Sequence, residues 1–243
     1  MFSSSGILSG QVHENVRQNT LMNDLPFNIE RNGFAVIPLC LDEGTVERLR
    51  DHLADGKHAQ RNLLSVPAVR ELAAARHVRE IVSTVLGPRC FAVRGILLNK
   101  TEQSNWKVAW HQDLTIAVHE RREIDGFGPW TTKAGVMHVQ PPAEIMSHML
   151  AIRLHLDESG PDNGPLRVIP GSHKEGRLTA DRVAKWEKTN SVTCTIPSGG
   201  ALLMRPLLLH ASSACAVPKP RRVVHLEFAA EELPTGLEWH DRV

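Results

Sequence analysis

Hydrophobic and polar positions change rhythm part-way along the chain. Phe34-Ala35-Val36-Ile37 is a short, β-branched apolar run closed by Pro38 and reads as a strand. Beyond it the apolar residues fall at helical spacing. Val46, Leu49 and Leu53 follow Asp42-Glu43, either of which can open a helix. The pattern predicts helices over about 43–57, 66–75 and 77–86, the last closed by Gly87-Pro88. After Pro88 short β-like runs recur: 91–98, 107–110, 149–156, 166–169, 191–196, 201–204 and 223–228. Turn clusters separate them, among them Asp162-Asn163-Gly164-Pro165, Pro170-Gly171-Ser172 and Ser198-Gly199-Gly200. Helices first and many short strands later predict a mainly β core, sandwich or barrel, with α-helices laid outside it. An alternating α/β order is excluded.

Two stretches stand apart. Residues 1–26 are polar and aperiodic and read as an N-terminal arm. Residues 114–148 have mixed composition, and a segment of that length inside a compact domain reads as a lid or binding loop. The remainder, 27–243, reads as one domain without internal repeats.

Composition narrows the function classes. Hydrophobic residues are 42% of the 243 and charged residues 23%, ordinary for a soluble globular protein. A formal net charge of +1 offers no basic excess for a nucleic-acid backbone. The four cysteines, Cys40, Cys90, Cys194 and Cys215, are far apart and form no C-x-x-C pair, so neither a thiolate zinc site nor a disulfide framework is expected. Met1-Phe2-Ser3-Ser4-Ser5-Gly6 lacks the features of a secretory signal. The apolar run Ala201 to His210 is broken by Arg205 and Pro206 and is too short for a bilayer. A cytoplasmic protein is the expectation.

The chemistry concentrates in His111-Gln112-Asp113, His210 and Arg221. Two imidazoles and one carboxylate can hold one face of iron(II) and leave the other open, the arrangement of non-heme iron oxygenases. A guanidinium is a bidentate, permanently charged clamp for a dicarboxylate such as 2-oxoglutarate. An H-x-(D/E) pair alone is weak, since about 1.4 are expected by chance here. Four occur: His111/Asp113, His155/Asp157, His173/Glu175 and His225/Glu227. On a strand any of them presents both side chains to one face. Asp157, however, runs into Glu158-Ser159-Gly160 and is placed to cap a turn, with His155 packed in the core. His173 reads as a loop brace. His225/Glu227 reads as a strand-surface pair. His111/Asp113 sits at a strand end opening into the long segment, and His210 closes the apolar run Leu207-Leu208-Leu209. Ser212 lies two residues from His210, within reach of the same carboxylate as Arg221. Arg221 and Arg222 could instead be solvated residues at a strand entrance.

His111-Gln-Asp113, Leu156-Asp157, Asn163-Gly164-Pro165-Leu166, Pro170-Gly171-Ser172-His173 and His210-x-Ser212 with Arg221 together resemble the phytanoyl-CoA dioxygenase family, over about Gly33 to Phe228. The resemblance implies a double-stranded β-helix, or jelly roll, with flanking helices. It implies iron(II) held by His111, Asp113 and His210, and 2-oxoglutarate on Arg221 with Ser212 assisting. It sets Arg153 inward near that co-substrate, where a buried anion or an internal carboxylate would be its partner. It makes Asp157 and the Asn163-Gly164 turn structural. A carboxylate at Asp113, where related halogenases carry a small residue, favours hydroxylation of a small organic substrate by O2, with release of succinate and CO2. Trp110, the 114–148 segment and Arg153 are the expected substrate contacts. Two alternatives share these residues: a cupin-like metal protein needing no keto acid, and a non-catalytic jelly-roll binding module.

Overall fold

The computed structural model describes residues 22–53, 59–102, 105–217 and 219–243. Helix α1 spans residues 22–32. It turns Leu25 and Ile29, four residues apart, into full burial. Each contributes on the order of 1.5–3 kcal/mol by leaving water. The chain is therefore helical from residue 22, inside the stretch whose composition suggested an arm to residue 26. In α2 (Glu43–His52) the Asp42 carboxylate accepts from Thr45 N at 2.9 Å, an N-cap. This helix ends at His52 with Leu53 as its cap, short of the expected 57; residues 54–58 lie outside the described part. Pro67 opens α3 (Pro67–Ala74), and Gly87 at φ +82° closes α4 (Arg76–Leu86). Two short helices, α5 (Ala143–Ser147) and α6 (Ala180–Trp186), were not legible in the periodicity.

The strands in chain order are β1 (Phe34–Ile37), β2 (Ala59–Gln60), β3 (Phe91–Lys100), β4 (Val108–His111) and β5 (Ile116–Val118). There follow β6 (Trp130–Lys133), β7 (Val136–Val139), β8 (Leu150–His155) and β9 (Leu166–Val168). The last are β10 (Val192–Cys194), β11 (Ala201–Met204), β12 (His210–Ser212) and β13 (Arg221–Ala229). Six of them form an antiparallel sheet in the order β1-β11-β8-β13-β3-β2, and four form a second in the order β10-β9-β12-β4. The two sheets make the jelly roll.

Period-two alternation in the larger sheet decides what reaches the interior. Leu150, Ile152 and Leu154 of β8 join Val224, Leu226 and Phe228 of β13 in a core shared with Leu49, Val69, Val78 and Val82 of the helices. The opposite faces look between the sheets. There Ala151, Leu202 and Met204 pack on Leu166, Val168 and Leu208. Arg153 and His155 of β8, and Arg221, His225 and Glu227 of β13, share this inner face. Asp157 fastens the layers from outside: its carboxylate accepts from Arg222 N and Nε at 2.8 Å each, and pairs with Arg50 of α2 at 3.2 Å. It holds the flanking strand and helix rather than capping its own turn.

The segment expected to be a lid is a third sheet, β5-β7-β6. Ile116, Val118 and Val139 are fully buried, in a core with Met146, Met149 and Trp239. Among the described residues no helix is long and apolar enough to cross a membrane. All four cysteines are free.

Candidate metal centre

Strands β4 and β12 are hydrogen-bonded neighbours with His111 directly opposite His210. Opposed residues share a face, and the two rings lie 4.1 Å apart between centroids, tilted by 52°. Asp113, two residues past His111, brings Oδ2 to 3.8 Å from His210 Nε2. One ligand atom from each of the three lies within 4.8 Å of the others. Both histidines make the same backbone bond. His111 Nδ1 donates to Ala109 O at 2.8 Å and His210 Nδ1 donates to Leu208 O at 2.9 Å. That sets the tautomer and leaves each Nε2 as a lone-pair donor aimed at the common point. Burial pushes the His210 imidazole down to about 4, so the ring is neutral and ready to ligate. Burial alone would raise Asp113, but His210, His225 and Arg94 outweigh it and hold the carboxyl well below its usual range.

Gln112 points the other way and fixes the segment. Its Nε2 donates to Leu207 O at 2.7 Å and Gly176 O at 2.8 Å, and its Oε1 accepts from Leu178 N at 2.8 Å. Asp113 N donates to Pro206 O at 2.9 Å. Ligands from two strands are thereby tied to the loop that delivers His210.

A second group, Asp113, His225 and Glu227, is equally compact. Its donors are already engaged. His225 Nδ1 accepts from Arg153 Nη1 at 3.2 Å, and His225 Nε2 bonds Glu227 Oε1 at 3.2 Å. Glu227 Oε1 is also paired with Arg94. Both residues are buried, which overturns their reading as a strand-surface pair. The signal was available: once Arg221 faces inward, period two carries His225 and Glu227 inward with it. The rival pair His155/Asp157 is split. His155 is buried with neither ring nitrogen hydrogen-bonded, while Asp157 faces Arg50 and Arg222. His173 Nε2 meets Glu30 O at 3.2 Å and braces its loop on α1.

A cavity of about 260 Å³ opens on His111, Asp113 and His210. Lys100, Arg153, Ser212 and Arg221 line one end of it. The three cations are 1%, 6% and 3% exposed, so each is a buried charge. Lys100 was missed in the sequence; it ends an apolar strand directly across from Arg221 in the β3–β13 register. Its Nζ donates to Ser212 Oγ at 3.1 Å and Ser213 O at 2.6 Å. Arg221 Nη1 donates to the Gly164 carbonyl. The Nε atoms of Arg153 and Arg221 are buried without a partner. Burial, with Arg221 nearby, pushes Lys100 down to about 8 and Arg153 down to about 10. Trp110 does not reach the cavity. It packs outward on Ile169, Leu178 and Leu209 under the Arg167 guanidinium, and Trp106 lines the cavity instead.

The sequence profile of the phytanoyl-CoA dioxygenase (PhyH) family matches residues 29–223. The chain belongs to this family. The phytanoyl-CoA dioxygenase family uses iron(II) and 2-oxoglutarate, and this member is an enzyme of that kind. No curated protein matches the sequence. Solved structures share the fold at low identity. The α-ketoglutarate-dependent epimerase SnoN from nogalamycin biosynthesis matches with TM-score 0.64 at 16% identity, over 90% of this chain and 91% of that one. EctD from S. alaskensis, with 2-oxoglutarate and 5-hydroxyectoine, matches with TM-score 0.64 at 20% identity, over 84% and 74%. HygX from Streptomyces hygroscopicus with iron bound matches with TM-score 0.62 at 18% identity, over 90% and 96%. The residues of this family member fit both groups: three convergent ligand atoms for the metal, and unpartnered buried guanidinium nitrogens for a carboxylate.

Proposed function

We propose that the protein hydroxylates a small organic substrate, with iron(II) on His111, Asp113 and His210 and the distal carboxylate of 2-oxoglutarate on Arg221. One observation carries this reading. Lys100, Arg153 and Arg221 are buried at one end of the cavity and, among the described residues, their hydrogen-bond partners are neutral. Buried unpaired charge costs several kcal/mol. A dianion with one carboxylate at this end removes that cost. A keto-acid-independent metal site, or a module with packed histidines, has no use for it.

The side chains divide the work. His111 and His210 present Nε2 because backbone carbonyls hold their Nδ1 protons, and Asp113 adds one negative charge. Gly164 O fixes Arg221 and leaves its Nε to donate. Lys100 donates to the Ser212 hydroxyl, so that hydroxyl turns its own proton toward the co-substrate. Arg153, carried on His225, closes the charged end. Val108 and Leu166 wall this end with apolar surface. When bound, iron(II) supplies redox chemistry with O2, and 2-oxoglutarate supplies electrons by decarboxylation to succinate. Asp113 occupies the position that a halide would need.

An anaerobic iron(II) titration with 2-oxoglutarate, followed by the visible charge-transfer band, tests the assignment. His111→Ala is expected to abolish iron uptake and His155→Ala to preserve it. Arg221→Gln is expected to keep iron and weaken 2-oxoglutarate about 10–100-fold, the worth of one charge-assisted pair. Iron lost only in His155→Ala, or undiminished co-substrate affinity in Arg221→Gln, would overturn it. Product mass under labelled dioxygen separates hydroxylation, which adds one labelled oxygen, from epimerisation or ring closure, which add none.

A further inference from the structure

The co-substrate accounts for the cations at one end of the cavity and leaves those at the other end unexplained. Arg61, Arg94 and Lys133 line it from the side of Asp113 and Thr115. Arg94 is committed, donating to Glu227 and, at 3.0 Å, to Thr115 O. Lys133 is half-buried and donates to the neutral Thr115 Oγ1 at 3.0 Å. Arg61 stands exposed at the rim. Among the described residues neither Arg61 nor Lys133 has an acidic partner. Among the described residues the single acid lining the cavity is Asp113, already assigned to the metal. The neighbouring charges of Arg94 and Arg61, after burial itself, make the Lys133 ammonium easier to deprotonate. Asp113 and Glu227 act on Lys133 in the opposite sense, but among the described residues Glu227 is already paired with Arg94, so the cations at this end outnumber the acids left to neutralise them.

Strand β3 shows that the two cationic ends are distinct. Its inward residues are Arg94, Ile96, Leu98 and Lys100 in succession. Six residues of strand separate the terminal cations by roughly 20 Å. Between them the wall is apolar, with Ala59 of β2 beside Leu98. One five-carbon diacid cannot reach from the Lys100 end to the Arg94 end.

Resting on the iron and 2-oxoglutarate reading above, we infer that the substrate is a small amphiphilic anion. Its carboxylate or phosphate seats on Arg61 and Lys133, and its apolar part lies along Ala59, Ile96 and Leu98. The cavity of about 260 Å³ holds the co-substrate as well, so the space left for the substrate suits only a small molecule.

Calorimetry on the anaerobic enzyme loaded with iron(II) and 2-oxoglutarate tests this, with hexanoate, hexyl phosphate and neutral hexanamide as probes. At least one of the two anions is expected to bind at least about tenfold more tightly than the amide, the effect of one ion pair. Arg61→Gln combined with Lys133→Gln is expected to erase that preference and leave 2-oxoglutarate affinity unchanged. The charge-conserving pair Arg61→Lys with Lys133→Arg is expected to restore it. Equal binding of amide and anions, no binding of either anion, or a preference surviving the glutamine pair would each overturn the proposal. So would loss of 2-oxoglutarate affinity in that pair, which would assign these cations to the co-substrate. A wild-type enzyme that takes up no 2-oxoglutarate would sink the metal-centre reading, and this inference with it.

Discussion

Gln112 sits between two of the proposed metal ligands and does not line the cavity. Its amide satisfies two carbonyls and one N–H, of which the bonds to Leu207 O and Leu178 N are buried and that to Gly176 O is part-buried. Gln112→Leu would leave those three groups unpaired, at about 1–3 kcal/mol each before relaxation. The expected outcome is a lower urea midpoint together with iron affinity weakened about 10–100-fold, as when support for a metal ligand is removed. His155 is a different case. Burial first, then the charges of Arg153 and Arg221, push its imidazole well below 6.5. The folded state keeps the ring neutral while the unfolded chain takes a proton below about pH 6.5. Its effect on stability is therefore absent above that pH and grows as a penalty below it, by about 1.4 kcal/mol per unit until the folded pKa is reached. His155→Leu should flatten the acid limb of a stability-against-pH curve measured by urea unfolding. At this scale the sequence showed His111, Asp113, His210, Ser212, Arg153 and Arg221 as candidates, and the fold brings all six to one cavity. It hid Lys100, whose place opposite Arg221 is set by sheet register, and the role of Gln112, whose partners are remote in sequence; His225 could have been placed inward by period two from Arg221.

Elements were legible where helical spacing or a continuous apolar run marks them and hidden where strands are short and mixed in composition. The helices α3 and α4 and the strands β3, β8 and β11 fall within a residue or two of their expected places. The three strands inside 114–148 were not separable from a loop, since they are three or four residues long and pack on a local core of their own. The turn after β8 carries an expectation of its own. Gly164 adopts φ +59°, and a Cβ there would lie 2.6 Å from Ser213 O. Its carbonyl is also the support of Arg221. Gly164→Ala should cost about 1–2 kcal/mol from the left-handed backbone alone. It should weaken 2-oxoglutarate more than iron, because the turn must move away from Ser213 and take the Arg221 support with it. Parallel titrations of both ligands check this.

For the molecule as a whole, composition gave a globular class and the order of helices and strands gave a helix-flanked β core. The closure of two sheets into a jelly roll came from family resemblance, because strand order in a sheet depends on contacts remote in sequence. The interior of that roll holds more positive than negative charge, so co-substrate binding is a stability event. At a hundredfold excess over its dissociation constant, 2-oxoglutarate with iron should add about 2.7 kcal/mol. For a chain of this size that is a rise in Tm of about 5–10 °C, readable by differential scanning fluorimetry. Glutaramide, which lacks the charges, should give none.

The clasp on Asp157 guards against a specific error of folding. Arg221 and Arg222 are adjacent guanidiniums of identical reach, and a slip of β13 by a single position would exchange them. The cavity could not tell one from the other by chemistry. Asp157 can, because it grips both the side chain and the backbone N–H of Arg222 on the helix side while Arg50 backs it from α2. An acid outside the reaction chamber thereby selects which of two equivalent cations is admitted to it.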